Sequence, residues 1–594
     1  MANRFRTRLA PGGKVSPEVS SVKDKGQPLG FDPDWIFCGI LVIAVILTYL
    51  PVWRAGFVWD DSYHVTSNPC IIGPLGLKEI WTSGAGRLFP LVLTTFWLEH
   101  ALWGLEPMGY HVVNVIQHAI SAILLWRILL RLRVPGAWLG ALLWALHPLQ
   151  VESVAWISEM KNTQSGVFYL LTILFFVRWL QTRETQKPAG WNYLLALLCA
   201  VLAMASKPST VVLPAVLFLC AWWIEGRLPV RHILRTLPVV LMSIISIAVT
   251  MWPQPSDSAI PVDPQWVRTW PERIASSGDV IWFYFAKMLW PHPLMVVYPR
   301  WHIDAGQPTA YLPLLAAMIL FLILWLKRDF WARPAFFAFS YYLVVLSPFL
   351  GLIDQTFWRY SFVEDHLQYL AAMGPLALLG AGLVRAAEFV SPNHTWRQTT
   401  LCSAILLILG MLSWQRALVF ENSETLWTDA LAKNRNCWAA YNNLGQLLLQ
   451  NGYVDAAMAD YQKALSINPS DAEALSNVGV VLLQKGHTDA AVAVLQKALK
   501  INPRDAEAYN NLGNAFLQKG SSNDAITQYR NALKMNPFYD EAHNNLGVAL
   551  SQNGQLEEGI SQFEEALRLN PNFSGARQNL ANAQAIVQHA PETK

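Results

Sequence analysis

The chain has 594 residues, of which 53% are hydrophobic and only 14% charged, with 27 Trp and a net charge of +3. Soluble domains carry about 25% charged residues, so this deficit makes lipid part of the solvent, and the small net charge argues for no nucleic-acid partner. There is no Gly-rich phosphate loop, GxSxG or HExxH, which argues against a nucleotide-dependent cytoplasmic enzyme. The six cysteines are scattered without a CxxC pair, indicating neither a zinc site nor a disulfide framework.

In chain order, residues 1–34 form a polar, basic stretch carrying Arg4, Arg6, Arg8, Lys14, Lys23 and Lys25. It lacks a signal-peptide core with a cleavage site and reads as a disordered cytoplasmic tail. Residues 35–420 then read as a membrane domain. Eleven apolar stretches approach the roughly 20 residues of a membrane span: 35–54, 109–131, 135–150, 164–182, 190–206, 208–224, 232–252, 310–326, 334–350, 367–385 and 399–416. Basic residues such as Arg127, Arg131, Arg133, Arg178, Lys327, Arg328 and Arg385 fall on one side of this series, and the positive-inside rule makes that side cytoplasmic. The parity requires 274–291, which holds Asp279 and Lys287, to be interfacial or re-entrant. An odd count places the C-terminus outside the cytoplasm, as expected for a protein of a bacterial inner membrane. The large outer loops are then 55–108, 253–309 and 351–366.

Three outer stretches could carry chemistry. Asp60-Asp61 sits just past the first span. Like charges raise one carboxyl, which suits a general base, while an exposed acidic turn has the same spacing. Residues 147–162 offer His147, Glu152, Glu159 and Lys161; His147 and Glu152 meet if a helical turn follows Pro148, although interfacial polar residues would look alike. Lys207 is a lone cation between apolar runs; a boundary charge marks a lipid phosphate site or snorkels to the surface. Arg87, Arg273, Arg300, Arg359 and His366 could join an anion site.

Residues 421–437 read as a linker and half unit. Over 438–573 four units repeat with a period of 34, as Pro469, Pro503, Pro537 and Pro571 mark. This is the tetratricopeptide pattern, closed by a cap helix and tail over 574–594. Asn443, Asn477, Asn511, Asn545 and Asn579 form a ladder at the same step. An amide both donates and accepts, so the ladder could hold an extended peptide in the concave groove, or could join neighbouring helices.

The stretches FVWDD (57–61) with Asn68, FPLVLTTFWLEHALWGLEPMGYHVVNVIQH (89–118), LHPLQVESVAWISEMKN (146–162), SKPSTVVLP (206–214), YFAKMLWPHPLMVVYP (284–299) and LSPFLGLI (346–353) resemble the GT-C class integral-membrane glycosyltransferases with tetratricopeptide repeats. These include the transmembrane O-mannosyltransferases that target cadherins and their bacterial relatives. The chain departs from that pattern at His366 and Met160, where the family usually has Arg. The resemblance implies an all-α fold: a polytopic GT-C-like helix bundle of about eleven spans followed by a tetratricopeptide α-solenoid. It implies sugar transfer, mannose in the characterised branch, from a polyprenyl-phosphate carrier to a Ser or Thr hydroxyl of an acceptor protein on the outer face. Asp60 or Asp61 would be the base. Lys207, Arg87, His366 and Arg359 would hold the donor phosphate, supported by His147, Glu152, Lys161 and Asp365. The repeat groove would take the acceptor polypeptide, membrane lipid would surround the bundle, and no metal or other tightly bound cofactor is implied. Two alternatives stay open: a non-catalytic membrane-anchored scaffold for cell-envelope assembly, and a transferase acting on glycans or lipids.

Overall fold

The computed structural model describes residues 33–73, 75–83, 86, 88–183, 190–226, 230–251, 268–353, 360–392 and 394–589. All regular structure among them is helical. Residues 1–32 of the basic tail, Arg87 and Arg359 lie outside the described residues, and the last two residues of the expected tail, Pro33 and Asp34, open the first helix.

Among the described residues, seven helices are long and apolar enough to cross a membrane: Pro107–Arg131, Ile157–Thr182, Pro208–Glu225, Leu234–Met251, Pro308–Leu326, Met373–Val390 and Thr395–Leu418. They answer to seven of the eleven expected spans. The other four form shorter helices: Pro33–Thr48 of 16 residues, Ala137–Ala145 of 9, Gly190–Ser206 of 17 and Arg333–Leu346 of 14. At 1.5 Å per residue they rise roughly 14 to 26 Å, short of a hydrocarbon core of about 30 Å. Proline stops two of them. Pro148 follows Ala137–Ala145 and opens a 3-10 turn, and Pro348 does the same after Arg333–Leu346, because proline has no N–H to continue the ladder.

Residues 274–291 are not re-entrant. Trp270–Leu289 is one continuous 20-residue helix, opened by a Thr269/Glu272 capping box and packed along Leu312–Leu326. Glu272, Arg273, Asp279 and Lys287 keep it out of the apolar class, yet its length of about 30 Å is that of a span. Counting spans therefore does not settle which face the repeats occupy. Direct contact does settle which loops they share.

The contact is made by Ser423–Lys433, the expected half unit. Its first turn is closed by a capping box of Asn422 and Thr425. Its apolar face of Leu426, Trp427 and Ala430 belongs to the same core as Val52, Ala55 and Val58 of the first membrane segment. The backbone N–H of Gly56 donates to the Glu421 carbonyl at 2.9 Å. Lys433 Nζ donates to the Leu294 carbonyl and Asn434 Nδ2 to that of Val297. The array is thus docked on the membrane domain rather than tethered to it.

Four helix pairs follow, from Trp438–Gln450 with Val454–Ile467 to Asp540–Gln552 with Leu556–Leu569, and Ser574–His589 packs on the last. Each inter-repeat turn is closed by an Asn that accepts from the N–H two residues on: Asn468 from Ser470, Asn502 from Arg504, Asn536 from Phe538 and Asn570 from Asn572. The first helix of each pair carries a glycine where the second helix approaches. A Cβ on Gly513 would lie 2.5 Å from the Tyr529 ring. Overpacking of this kind costs about 1–3 kcal/mol. Gly513→Val is therefore expected to destabilise the array by that amount, read as lost hydrogen-exchange protection over 506–535 while the membrane helices keep theirs.

Candidate active site

The site begins with a strained residue. Trp59 has φ +46°, a left-handed conformation that costs a bulky L-residue about 1–3 kcal/mol. Three rings hold it there. Trp156 stacks on it at 5.1 Å, and Trp427 and Tyr360 meet it edge-on at 4.8 and 5.8 Å. One wall of this box, Trp427, comes from the docked half unit. The box fixes where the next two residues, Asp60 and Asp61, leave the chain.

The two carboxylates do different things. Asp61 is fully buried. Its Oδ2 accepts from the Val58 N–H at 2.8 Å and its Oδ1 from the Ser158 N–H at 2.7 Å. It ties the first loop to the turn that starts the helix Met160–Arg183, 97 residues away. Burial pushes its carboxyl up to about 7, against the pull of both N–H donors. Asp60 is half-buried, and its charge acts on Lys161 and Glu364, two members of the cluster described next.

That cluster joins segments that are remote in sequence. The 3-10 turn and short helix after Pro148 present Glu152, the turn Ile157–Glu159 presents Glu159, and the 3-10 turn Asp365–Gln368 presents His366. His366 Nδ1 lies 2.6 Å from Glu152 Oε1, while its Nε2 lies 3.3 Å from Glu364 Oε2 and 3.7 Å from Glu159 Oε1. Lys161 Nζ pairs with Glu159 Oε1 at 2.7 Å. Lys207 Nζ donates to Asn162 Oδ1, and Asn162 Nδ2 in turn donates to Glu159 and Ser153. Lys207 also lies over the Phe349 ring at 5.5 Å.

Burial dominates the electrostatics. It lowers Lys207 to about 8, an effect Glu159 opposes and Lys161 reinforces. It lowers His366 to about 3, against the attraction of Glu159. It raises Glu364 and Glu152 above the usual carboxylate range, with neighbouring carboxylates adding to the rise. Asp365 is raised to about 6 by burial, opposed by Arg416 and by the Tyr298 hydroxyl, which donates to its Oδ1 at 2.8 Å. Behind Asp365 a second network links the last membrane helix to the half unit. Arg416 Nη1 pairs with Asp429 at 2.9 Å, and Lys433 joins the same carboxylate at 2.7 Å.

The structure thus gathers Asp60, Asp61, Glu152, Lys161, Lys207, Asp365 and His366 at one place. Three expectations change. His147 does not meet Glu152: its Nε2 lies 3.0 Å from the Met288 carbonyl, and its Nδ1 accepts from the Leu149 N–H. The turn after Pro148 forms, but it rotates Glu152 toward His366 instead. His366 lies between carboxylates rather than open to a phosphate. The Asn ladder stitches repeats together: Asn477 Nδ2 donates to Asn442, Asn511 to Ser476, Asn545 to Asn510 and Asn579 to Asn544, at 2.9–3.1 Å. Asn443, at the start of the ladder, donates to the Ala439 carbonyl. The donors expected to face a peptide are engaged. Arg273, one of the cations expected on the outer side, donates to the carbonyls of Arg268 and Leu352. Sequence reasoning missed Asn162, Glu364 as a cluster member, and Arg416, whose one visible signal was a charge in the last turn of an apolar helix.

Residues 445–486, 479–520 and 513–554 match the TPR repeat family, and 540–573 match the tetratricopeptide repeat family. Over 476 residues the chain is 23% identical to a protein O-mannosyl-transferase of Caenorhabditis elegans, covering 77% of this chain and 66% of that one. It is 30% identical over 203 residues to the protein O-mannosyl-transferase TMTC2 of Mus musculus, covering 32% of this chain and 24% of that one. It is also similar to the crystal structure of YrrB, a TPR protein with an unusual peptide-binding site, at 25% identity over 28% of this chain and 87% of that one, with a TM-score of 0.24. The chain spans two thirds or less of the length of the curated relatives it matches. It resembles protein O-mannosyl-transferases that carry tetratricopeptide repeats.

Proposed function

We propose that the protein is a glycosyltransferase that moves a sugar, mannose by its resemblance, from a polyprenyl-phosphate carrier to a Ser or Thr hydroxyl of an acceptor protein on the extracytoplasmic face. One observation carries this reading. The charge of a half-buried carboxylate, Asp60, acts on Lys161 in a cluster that also holds Lys207, and the residue before it, Trp59, packs against Trp427 of the docked half unit. A transferase of this kind needs a base and a site for the departing phosphate; on this reading Asp60 supplies the first and Lys161 and Lys207 the second.

In the reaction the acceptor oxygen attacks the anomeric carbon of the donor. The bond from that carbon to the phosphate oxygen breaks as the new C–O bond forms. Asp60 takes the hydroxyl proton, as general bases do when held within hydrogen-bond reach. The polyprenyl phosphate leaves with the negative charge, which Lys207 and Lys161 stabilise; charge-assisted contacts of this kind are about twice as strong as neutral ones. Asp61 does not react. It holds the loop by accepting two backbone N–H bonds.

The test is purified protein in liposomes with labelled polyprenyl-phosphate mannose and a Ser/Thr-rich acceptor polypeptide. The reading predicts label on the polypeptide that mild alkali releases. Label found only on lipid or glycan would overturn the acceptor assignment. The pH dependence adds a second check. Burial lowers Lys207 to about 8, so its charge is present below that pH and lost above it. Values of kcat/KM, which report the free enzyme, are expected to fall as pH rises through about 8. In Lys207→Arg, whose guanidinium keeps its proton, that fall moves to higher pH.

A further inference from the structure

We propose that Glu152, Glu364 and His366 form a binding site for a divalent first-row transition cation of the Mn2+ or Zn2+ type. One ligand atom from each of the three lies within 4.8 Å of the others. The residues come from the turn after Pro148 and from the end of the last outer loop, and all are at most 6% exposed. Two carboxylate oxygens and one imidazole nitrogen suit Mn2+ or Zn2+ better than the all-oxygen sets of Ca2+ and Mg2+.

One further observation points to a ligand. Glu152 Oε2 is buried with no hydrogen-bond partner, and so is Asp365 Oδ2 beside it. A buried carboxylate oxygen left unsatisfied has lost its solvation, which a proton or a cation would replace.

The imidazole is placed for this role. A metal-bound histidine usually donates its other ring N–H to a carboxylate, which fixes the tautomer. His366 has a carboxylate oxygen beside each nitrogen, so a cation on either one leaves the other held. A metal here departs from the expectation that the resemblance sets. Its detection does not depend on sugar transfer, so failure of one reading leaves the other standing.

The experiment uses the full chain in detergent, stripped with a chelator and titrated with Mn2+. Binding is followed by the loss of the free-ion paramagnetic resonance signal, and Zn2+ is added afterwards as competitor. We expect one saturable equivalent, displaced by Zn2+. Glu152→Gln and Glu364→Gln should each weaken it at least tenfold, and Asn477→Ala in the array should leave it unchanged. Monodispersity and the hydrogen-exchange protection of 57–66 identify variants that keep their fold; if one of the pair does not, the other decides. No saturable binding of either ion, or equal binding by wild type and a folded Gln variant, overturns the site and leaves protons as the compensating charge.

Discussion

Asp60→Asn folds like the wild type and loses sugar transfer by about 10²–10⁴-fold, the span of a positioned general base. The amide cannot take the acceptor proton, but it nearly matches the carboxylate in size, and Asp60 is only half-buried. The loss should fall on kcat, with donor binding little changed. Asp61→Asn behaves differently. Both of its oxygens accept backbone N–H bonds, and an amide would turn an N–H toward one of those donors. Leaving a buried group unsatisfied costs about 1–3 kcal/mol, more when the bond was charge-assisted. That variant should lose hydrogen-exchange protection over 57–66 and 157–160 together with activity. The pair is read by steady-state transfer and hydrogen exchange on the same samples. Full activity in Asp60→Asn would remove the proposed base, and loss of fold in Asp60→Asn with a quiet Asp61→Asn would reverse the assignment.

The second large effect comes from the half unit. Trp427 is 1% exposed and forms one wall of the box around Trp59. Trp427→Ala removes a buried aromatic at a cost of about 3–5 kcal/mol. It also frees a residue whose left-handed backbone needs support. The array should then come off the membrane domain at its first helix. Protection over 423–433 should fall, the 57–61 loop should loosen, and transfer to a polypeptide acceptor should drop. Trp427→Phe, which keeps a ring, should retain most of each. Protection over 57–66 that stays unchanged in Trp427→Ala would show that the array does not support the site.

How much was legible in the sequence follows from the range of each interaction. The 34-residue period is local and regular, so the repeat array, its cap and its half unit could be read from spacing. The Asn ladder was legible as a pattern with two open roles, and spacing could not choose between them, because four of its five amides donate to a residue 35 positions back on the preceding repeat. The adjacency of Asp60 and Asp61 hid their difference, since what separates them is the Ser158 N–H 97 residues on. His366 and Glu152 are 214 residues apart, and no periodicity links them. The resemblance placed both in outer loops without bringing them together. Helix length was misjudged where proline ended an apolar run, as at Pro148. Side was inferred from charge parity, and the contact of Trp427 with Trp59 is a firmer ground for placing the repeats beside Asp60.

On the proposed function, the lipid donor sits in this cluster with its anomeric carbon toward Asp60. The most direct measurement is a structure of the full chain with polyprenyl-phosphate mannose bound, using Asp60→Asn to prevent turnover. Phosphate density is expected within hydrogen-bond reach of Lys207 or Lys161, with the sugar on the Asp60 side. A donor phosphate bound at the opposite end of the helix bundle, or a sugar out of reach of residue 60, would contradict it.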